Sequence, residues 1–199
     1  MNKKRLILII AFAVVGYGVY LAYSVIFRAE EILESELSDQ ETIAYQELQA
    51  RSQEVSFSVL IPREIPEGYH LVHKPAYASI RSNQGFNGED QITFYYEHPR
   101  SVLVEIKQNK LSVGDVEQKI VCESDERAKI TLKNNTSACL GYFAGREVTD
   151  GPDFLANIQL DYHFNGLRIS LIQTNKQYSV DASLLSKEEV IAFAEAMIE

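Results

Sequence analysis

The chain opens with a long apolar run behind a short basic tail. Residues 6–27 contain no charged side chain. As a helix rising about 1.5 Å per residue, this run would measure about 33 Å, enough to cross a hydrocarbon core of about 30 Å. A buried core helix normally keeps a polar face, but this run is apolar all round. The pattern therefore predicts a transmembrane helix over residues 6–27, preceded by a tail of residues 1–5.

The charges that flank the run predict its orientation. Three basic residues precede it, whereas four glutamates follow it closely, at positions 30, 31, 34 and 36. Basic flanks stay in the cytoplasm, so we expect a single-pass cell-membrane protein with a cytoplasmic N-terminus and an extracytoplasmic remainder. A cleaved signal peptide is the main alternative. The apolar run exceeds the usual ~7–15 residues of such peptides, and no Ala-x-Ala site lies near its end.

Residues 28–54 carry a narrow helical stripe in a polar background. The segment is rich in Glu, Gln and Ser and has no Pro or Gly. Its apolar positions are spaced by four and seven, which is typical of a helix: Leu33, Leu37, Ala44 and Leu48. Gln40 and Glu47 interrupt the stripe. We therefore predict a helical stalk that is a solvated spacer rather than a coiled coil.

From residue 55 onward the apolar positions alternate, which indicates strands. The predicted strands cover residues 55–61, 69–80, 91–96, 102–108, 119–122, 138–142, 156–164, 167–173 and 177–182. Asn165-Gly166 joins two of them and indicates a hairpin, because both central positions of a type I′ turn need a positive φ. Asn175-Lys176 is a second predicted turn.

The chain closes with a predicted helix. Ser186 and Glu189 have the spacing of a capping box, in which each side chain bonds the backbone N–H of the other. The apolar face of the helix consists of Val190, Ala194, Met197 and Ile198. The fold class is therefore α+β: one antiparallel sheet packed by a C-terminal helix, forming an extracytoplasmic domain of residues 55–199.

The start of this domain carries a recognisable set of turn and core residues. Phe57-Ser58-Val59 is followed by Pro62 and by Ile65-Pro66-Glu67-Gly68-Tyr69. Pro66 suits the second position of a type I turn, and Gly68 its fourth. This stretch, with the leucines, serine and acidic pair of residues 184–198, resembles a family of uncharacterised bacterial envelope domains with a Phe-x-Val, Pro, Pro-x-Gly-Tyr signature.

That family is similar to the lipoprotein carrier LolA and to the MucB/RseB regulators. The resemblance covers roughly residues 55–198 but shows no clear match over residues 109–147. It implies a curved antiparallel sheet wrapped over helices, with an apolar concavity. It also implies structural roles for Pro62, Pro66, Gly68 and Tyr69, and it brings no catalytic residues.

The charge of the chain excludes one class of partner. The chain has 19 Lys+Arg and 28 Asp+Glu, and three of the basic residues lie before the apolar run. The rest of the chain therefore carries 16 basic residues against 28 acidic ones, a formal charge of −12. Such an acidic domain lacks the basic surface that nucleic acid requires. We expect no nucleic-acid partner.

Cys122 and Cys139 are the only cysteines. In an extracytoplasmic domain we favour a disulfide between them, which would stabilise the fold by about 3 kcal/mol. Two buried free thiols are the alternative. A metal site is not expected, because no histidine pair accompanies the cysteines. His70 and His73 lie three apart on a predicted strand, so their side chains would point to opposite faces.

A group of aromatic residues is the one feature that suggests a ligand surface. Aromatic side chains on both faces of a strand place one set in the core and the other on the opposite face. If the second set lined a concavity, it could hold an apolar or peptide ligand. The candidate lining residues are Tyr69, Tyr77, Phe94, Tyr95 and Tyr96. Ordinary core and sheet-surface packing is the alternative that we favour.

No sequence motif identifies a reaction or a cofactor site. We therefore expect a non-enzymatic binding or sensing module, held outside the membrane, with an apolar ligand, a peptide or an envelope protein as partner. An accessory subunit of an envelope assembly is the second hypothesis. An uncharacterised envelope enzyme is the weakest, and we name no catalytic, cofactor-binding or metal-ligating residue.

Overall fold

The computed structural model describes residues 39–72, 81–84, 90–111, 122, 127–148, 151–177 and 179–199. The predicted transmembrane helix, residues 6–27, lies outside these ranges, as do residues 28–38 of the predicted stalk. Within the ranges, no helix is both long enough and apolar enough to span a membrane.

The centre of the fold is an antiparallel sheet, which confirms the predicted sheet type. The described strands are β1 (His70–Val72), β2 (Arg81–Gln84), β3 (Asp90–His98), β4 (Val102–Lys110), β5 (Arg127–Thr131), β6 (Ser137–Phe143), β7 (Arg146–Val148), β8 (Gly151–Phe154), β9 (Asn157–Phe164) and β10 (Leu167–Asn175). The central sheet has seven strand positions in the order β1–β3–β4–β10–β9–β6–β5, and β2 also pairs with β3, beyond the end of β1. A separate ribbon pairs β7 with β8.

Two helices accompany the sheet in the described part of the chain. Residues 39–52 are helical and form α1, and α2 (Lys187–Ile198) closes the chain. Ala44 and Leu48 of α1 are fully buried and belong to the main core cluster. The compact unit therefore begins at Ile43 rather than at residue 55. Over residues 43–52, the predicted stalk is a helix whose apolar stripe packs into the domain.

The two faces of the sheet differ because apolar and polar residues alternate along its central strands. The face that packs against α2 carries Phe94 and Tyr96 of β3, Leu171 of β10 and Leu160 of β9, all buried. We call this the packed face. The opposite face, called the outer face below, carries the intervening residues, including Lys107 on β4. A period of two predicts this division. The outer face is not fully open, because Thr93, Tyr95 and Leu103 on it are buried as well.

The turn signals have mixed outcomes. Asn165 and Gly166 adopt φ values of 49° and 75°, which confirms the predicted hairpin between β9 and β10. The turn before Tyr69 is shifted by one residue. The Tyr69 N–H donates to the Pro66 carbonyl at 3.2 Å, so Pro66 occupies the first turn position and Gly68 the third. Gly68 has a φ of 81°, which suits a glycine at the third position of a turn.

Several predicted strands are absent or only partly described. Residues 55–61 form no strand, and neither do the described residues of the segment 177–182. In the latter, Gln177 N–H donates to Asn175 Oδ1 at 2.8 Å, so Asn175 makes a local turn and the chain does not return as a strand. Residues 73–80 and 119–121 lie outside the described ranges, and Cys122 is not in a strand.

The segment 55–61 runs beside the sheet and is held by a side chain instead of a neighbouring strand. The Leu60 N–H donates to Gln108 Oε1 at 2.9 Å, and Gln108 Nε2 donates to the Leu60 carbonyl at 2.5 Å. Gln108 is fully buried on the packed face. Its amide thus satisfies both backbone groups of Leu60, as a strand neighbour would, and the apolar side chains of the segment pack on the core.

The two cysteines are joined in a disulfide, as predicted. The Cys122 and Cys139 Cα atoms are 5.5 Å apart. Cys139 lies on β6, opposite Asp161 of β9, and is almost fully buried. The bond therefore attaches Cys122 to the outer face of the sheet.

Candidate functional site

The predicted ligand-lining aromatics are mostly core residues. Phe94 and Tyr96 are fully buried on the packed face, and Tyr69 is 7% exposed. The Tyr69 and Tyr96 rings both contact Phe193 of α2, with ring centroids 5.0 and 5.1 Å apart. These side chains fill the space between sheet and helix and do not line an open concavity. Tyr95 lies on the outer face but is also buried, and Tyr77 lies outside the described residues.

The most densely bonded polar group joins α2 to the sheet. Glu189 Oε2 accepts hydrogen bonds from the Tyr69 hydroxyl at 2.7 Å and from Gln173 Nε2 at 2.9 Å, and Arg100 Nη2 also donates to it. Gln173 Nε2 lies 2.8 Å from the Tyr69 oxygen as well. We call these four residues the Glu189 cluster. Its members come from four separate parts of the fold.

The helix cap explains why Glu189 is free to join this cluster. Ser186 accepts a hydrogen bond from the Glu189 N–H at 3.4 Å, which confirms half of the predicted capping box. The other half is wrong, because the Glu189 side chain turns toward the sheet. The Ser186 N–H is satisfied instead by Gln173 Oε1 at 2.7 Å. A buried glutamine of β10 therefore replaces the glutamate in the cap and links α2 to β10.

His98 borders the Glu189 cluster and packs against Tyr69. Its Nδ1 accepts from the Arg100 N–H at 3.0 Å, and its ring meets Tyr69 edge-on, with centroids 5.0 Å apart. Burial and the nearby Arg100 charge lower the pKa of His98. Gly68 lies directly against the imidazole, at a spot where a Cβ atom would overlap the ring. His98 is thus a packing partner of the turn at Gly68.

The surroundings of the cluster shift the pKa values of Tyr69 and Glu189 further from neutral pH. Burial raises the pKa of Tyr69 strongly, and its hydrogen bond to Glu189 raises it further. Burial alone would raise the pKa of Glu189, but the hydrogen bonds from Tyr69 and Arg100 outweigh it and lower the pKa below its ordinary value. A general acid or base works best with a pKa near the ambient pH. The cluster therefore suits structural linkage better than proton transfer.

The outer face carries a different set of polar residues. Arg127 Nη1 pairs with Asp161 Oδ2 at 2.7 Å and Arg127 Nη2 donates to Gln159 at 3.0 Å. Asp161 is 2% exposed. Lys107, Lys129 and Arg168 lie on the same face, and within the described residues none of the three has an ion pair, a hydrogen bond or a ring contact. Sequence reasoning did not single them out. Lys107 and Arg168 stand at alternate positions of predicted strands, which the period of two assigns to this face, whereas the strand that carries Lys129 was not predicted.

A shallow depression of about 210 Å³ lies at the C-terminal end of α2. Its lining residues are Glu64, Ile65, Pro66, Lys133, Ala192, Glu195, Ala196 and Glu199. Lys133 Nζ lies 2.5 Å from Glu199 Oε1, so the one lysine in the lining is already paired. The depression is smaller than typical ligand pockets of ~300–1,000 Å³ and is open to solvent.

In the described part of the chain, no group of three or more His, Cys, Asp or Glu side chains is arranged to hold a metal ion. His70 lies on β1, and His73 lies outside the described ranges.

The comparisons with known proteins do not assign the chain to a family. No protein-family model matches the chain, and neither does any curated protein or solved structure. The resemblance to the LolA and MucB/RseB group therefore stays a prediction.

Proposed function

We propose that this chain is a non-enzymatic binding or sensing module, held outside the cell membrane by residues 6–27. The observation that carries the proposal is the division of the sheet into a packed face and an outer face. The packed face is filled by α1, α2 and the segment before β1, so a ligand there would have to displace core residues such as Tyr96 and Phe193. The partner therefore binds the outer face.

The chemistry of the Glu189 cluster supports a binding role over catalysis. Its carboxylate accepts three donors at one oxygen, and these donors come from the protein itself. The pKa of Glu189 is lowered and that of Tyr69 is raised, so neither group exchanges a proton readily near neutral pH. The bonds instead fix α2 against the sheet, and a rigid frame suits a surface that recognises a partner.

The proposal is tested by site-specific photo-crosslinking of the full-length protein in its own membrane. A photoreactive residue at Ser170 would sample the outer face. The same residue at Ala192, an exposed position on α2, is the matched control. We expect adducts from position 170 and none from position 192. Adducts from neither position, in membranes where the protein is present at native level, would contradict a binding role for the outer face.

A second candidate function is an accessory subunit of an envelope assembly. The observation that favours it is the exposed apolar surface of α1, where Ile43 is 50% exposed and Tyr45 37%. Apolar side chains in this position suit contact with another envelope protein. Replacing residues 6–27 with an unrelated membrane span separates the two proposals. A binding module tolerates the replacement, whereas a subunit whose anchor and α1 form the interface loses its partner.

A further inference from the structure

Unpaired positive charge gathers on one face of this acidic protein. Among the residues whose side chains the structure describes, Lys107, Lys129 and Arg168 have no ion pair, hydrogen bond or ring contact, and a fourth cation, Arg63, has only the electrostatic attraction of Glu199. Three of these four lie on the outer face of the sheet.

The carboxylates that the structure describes on the same face are already engaged. Asp161 pairs with Arg127, and Glu97 pairs with Lys176 at 2.9 Å. Glu105 has an interaction of its own. The three unpaired cations are therefore not neutralised by these neighbours, and we call them the cationic patch.

The strand register sets the spacing of the patch. Lys107 of β4 lies directly opposite Ser170 of β10, and Arg168 is two residues along β10 on the same face. Diagonal neighbours of this kind lie about 7–8 Å apart. Ser170 is then followed across the sheet by Asp161, Cys139 and Lys129. Lys129 is thus three strand spacings, or about 14 Å, from Ser170.

We propose that the cationic patch binds a phosphate-bearing polymer that lies across the strands. At one end, an ammonium, a guanidinium and the hydroxyl of Ser170 are immediate neighbours. A phosphate has enough oxygens to accept from all three donors, whereas a carboxylate is satisfied by a single arginine. Lys129 is too far away to share that phosphate, so it contacts another phosphate group along a polymer that passes over the Cys122–Cys139 disulfide.

This inference rests on the proposed binding function and names its ligand class. Electrostatic binding of a polyanion releases counterions, so affinity falls steeply as salt rises, by an amount set by the number of contacts. Each cation removed from the patch should therefore reduce the slope of log affinity against log salt concentration by about one. The patch also predicts that Lys129 matters only for polymers long enough to reach it.

The experiment measures binding of fluorescent inorganic polyphosphate, in a short and a long form, to the full-length protein in zwitterionic nanodiscs. We expect Arg168→Gln and Lys107→Gln to weaken both forms about tenfold. Lys129→Gln should weaken only the long form. Arg63→Gln is the matched control, because it removes one exposed positive charge that lies off the sheet, and it should change neither affinity.

Other outcomes would overturn the inference. Equal losses with Arg63→Gln would mean that net charge, and not the patch, attracts the polymer. Equal binding of poly-glutamate would assign the patch to an acidic protein segment, and binding only to anionic lipid vesicles would assign it to a membrane surface. No binding of polyphosphate would also sink the inference. If crosslinks from position 170 persist in that case, the proposed binding function survives without this ligand.

Discussion

Single residues with unusual backbone or burial hold the packed face together. Gly68 adopts a positive φ beside the His98 ring, and Gln108 uses its buried side-chain amide to bond both backbone groups of Leu60. Neither role follows from residue type alone. A glycine is permissive in any turn and glutamine is usually a surface residue, so only the tertiary contacts reveal what each does.

We expect Gly68→Ala to lower the free energy of unfolding by about 2–3 kcal/mol, through backbone strain plus overlap with His98. Gly166→Ala is the matched control. Gly166 also has a positive φ, of 75°, but its Cβ position is open, so only about 1 kcal/mol is expected. Urea denaturation of both variants measures the difference. Equal losses would show that the imidazole does not restrict the turn.

Replacing Gln108 with methionine keeps the length of the side chain but removes both hydrogen bonds to Leu60. The Leu60 N–H and carbonyl then lose their partners in a partly buried site, which costs about 2–4 kcal/mol in total. The free energy of unfolding, from denaturant curves, is the measurement. Gln177→Met, at an exposed turn, is the control and should be nearly neutral. A loss below about 0.5 kcal/mol for Gln108→Met would contradict the account of this segment.

Secondary-structure elements were predictable from the sequence wherever they are set by contacts between residues that are close together in the chain. The Asn165-Gly166 turn, the Ser186 cap and the alternation in β3, β4, β9 and β10 are of this kind. Elements set by distant partners were not predictable. Residues 55–61 alternate like a strand but pair with a side chain. β5 is a polar edge strand, Arg-Ala-Lys-Ile-Thr, that shows little alternation and was missed.

The candidate site shows the same limit. Glu189 fits a capping box by spacing, yet its carboxylate bonds Tyr69, Arg100 and Gln173, which lie far away in sequence. The sequence offered one signal for this cluster, a charged residue at a position that faces the sheet. Phe94 and Tyr96, which were named as candidate ligand-lining residues, lie together in the core because alternation places them on one face.

The acid stability of the domain should depend on Glu189. Hydrogen bonds from Tyr69 and Arg100 overcome burial and lower its folded-state pKa below the ordinary value of 4.5. A group with a lowered folded-state pKa stabilises the fold fully above its unfolded pKa, and this contribution is lost as the pH falls through the folded value. We therefore expect wild type to exceed Glu189→Gln in stability at neutral pH, and the gap to shrink below about pH 4.5.

Urea midpoints measured from neutral to acid pH check this expectation. Glu64→Gln is the control, because it removes one exposed carboxylate outside the Glu189 cluster. The urea midpoint of Glu64→Gln should change with pH in the same way as that of wild type. A Glu189→Gln curve that is also parallel to wild type across the acid range would show that the cluster does not link α2 stability to protonation.

At the scale of the whole molecule, one disulfide and one charge asymmetry stand out. The bond between Cys122 and Cys139 fixes Cys122 to the outer face. Outside the cationic patch, most Lys and Arg side chains that the structure describes have a partner. The outer face thus combines a covalent attachment with unpaired positive charge. The first feature concerns stability and the second concerns recognition, so they can be tested separately.

Removing the disulfide should destabilise the domain without changing the cationic patch. Replacing both cysteines with alanine frees a loop of 17-residue separation, which costs about 3 kcal/mol through the greater entropy of the unfolded chain. Denaturant curves of the double variant and of reduced wild type should agree. If the oxidised and reduced proteins unfolded at the same denaturant concentration, the bond would have no stabilising role.

The central claim is that a partner covers the outer face when the protein is in its own membrane. Lysine-specific footprinting of the full-length protein, in intact membranes and after purification, tests it most directly. Lys107 and Lys129 report on the outer face, and the exposed Lys187 of α2 is the internal reference. We expect labelling of Lys107 and Lys129 to be several-fold lower in membranes, with Lys187 unchanged. Equal labelling of all three lysines in both preparations would contradict the claim.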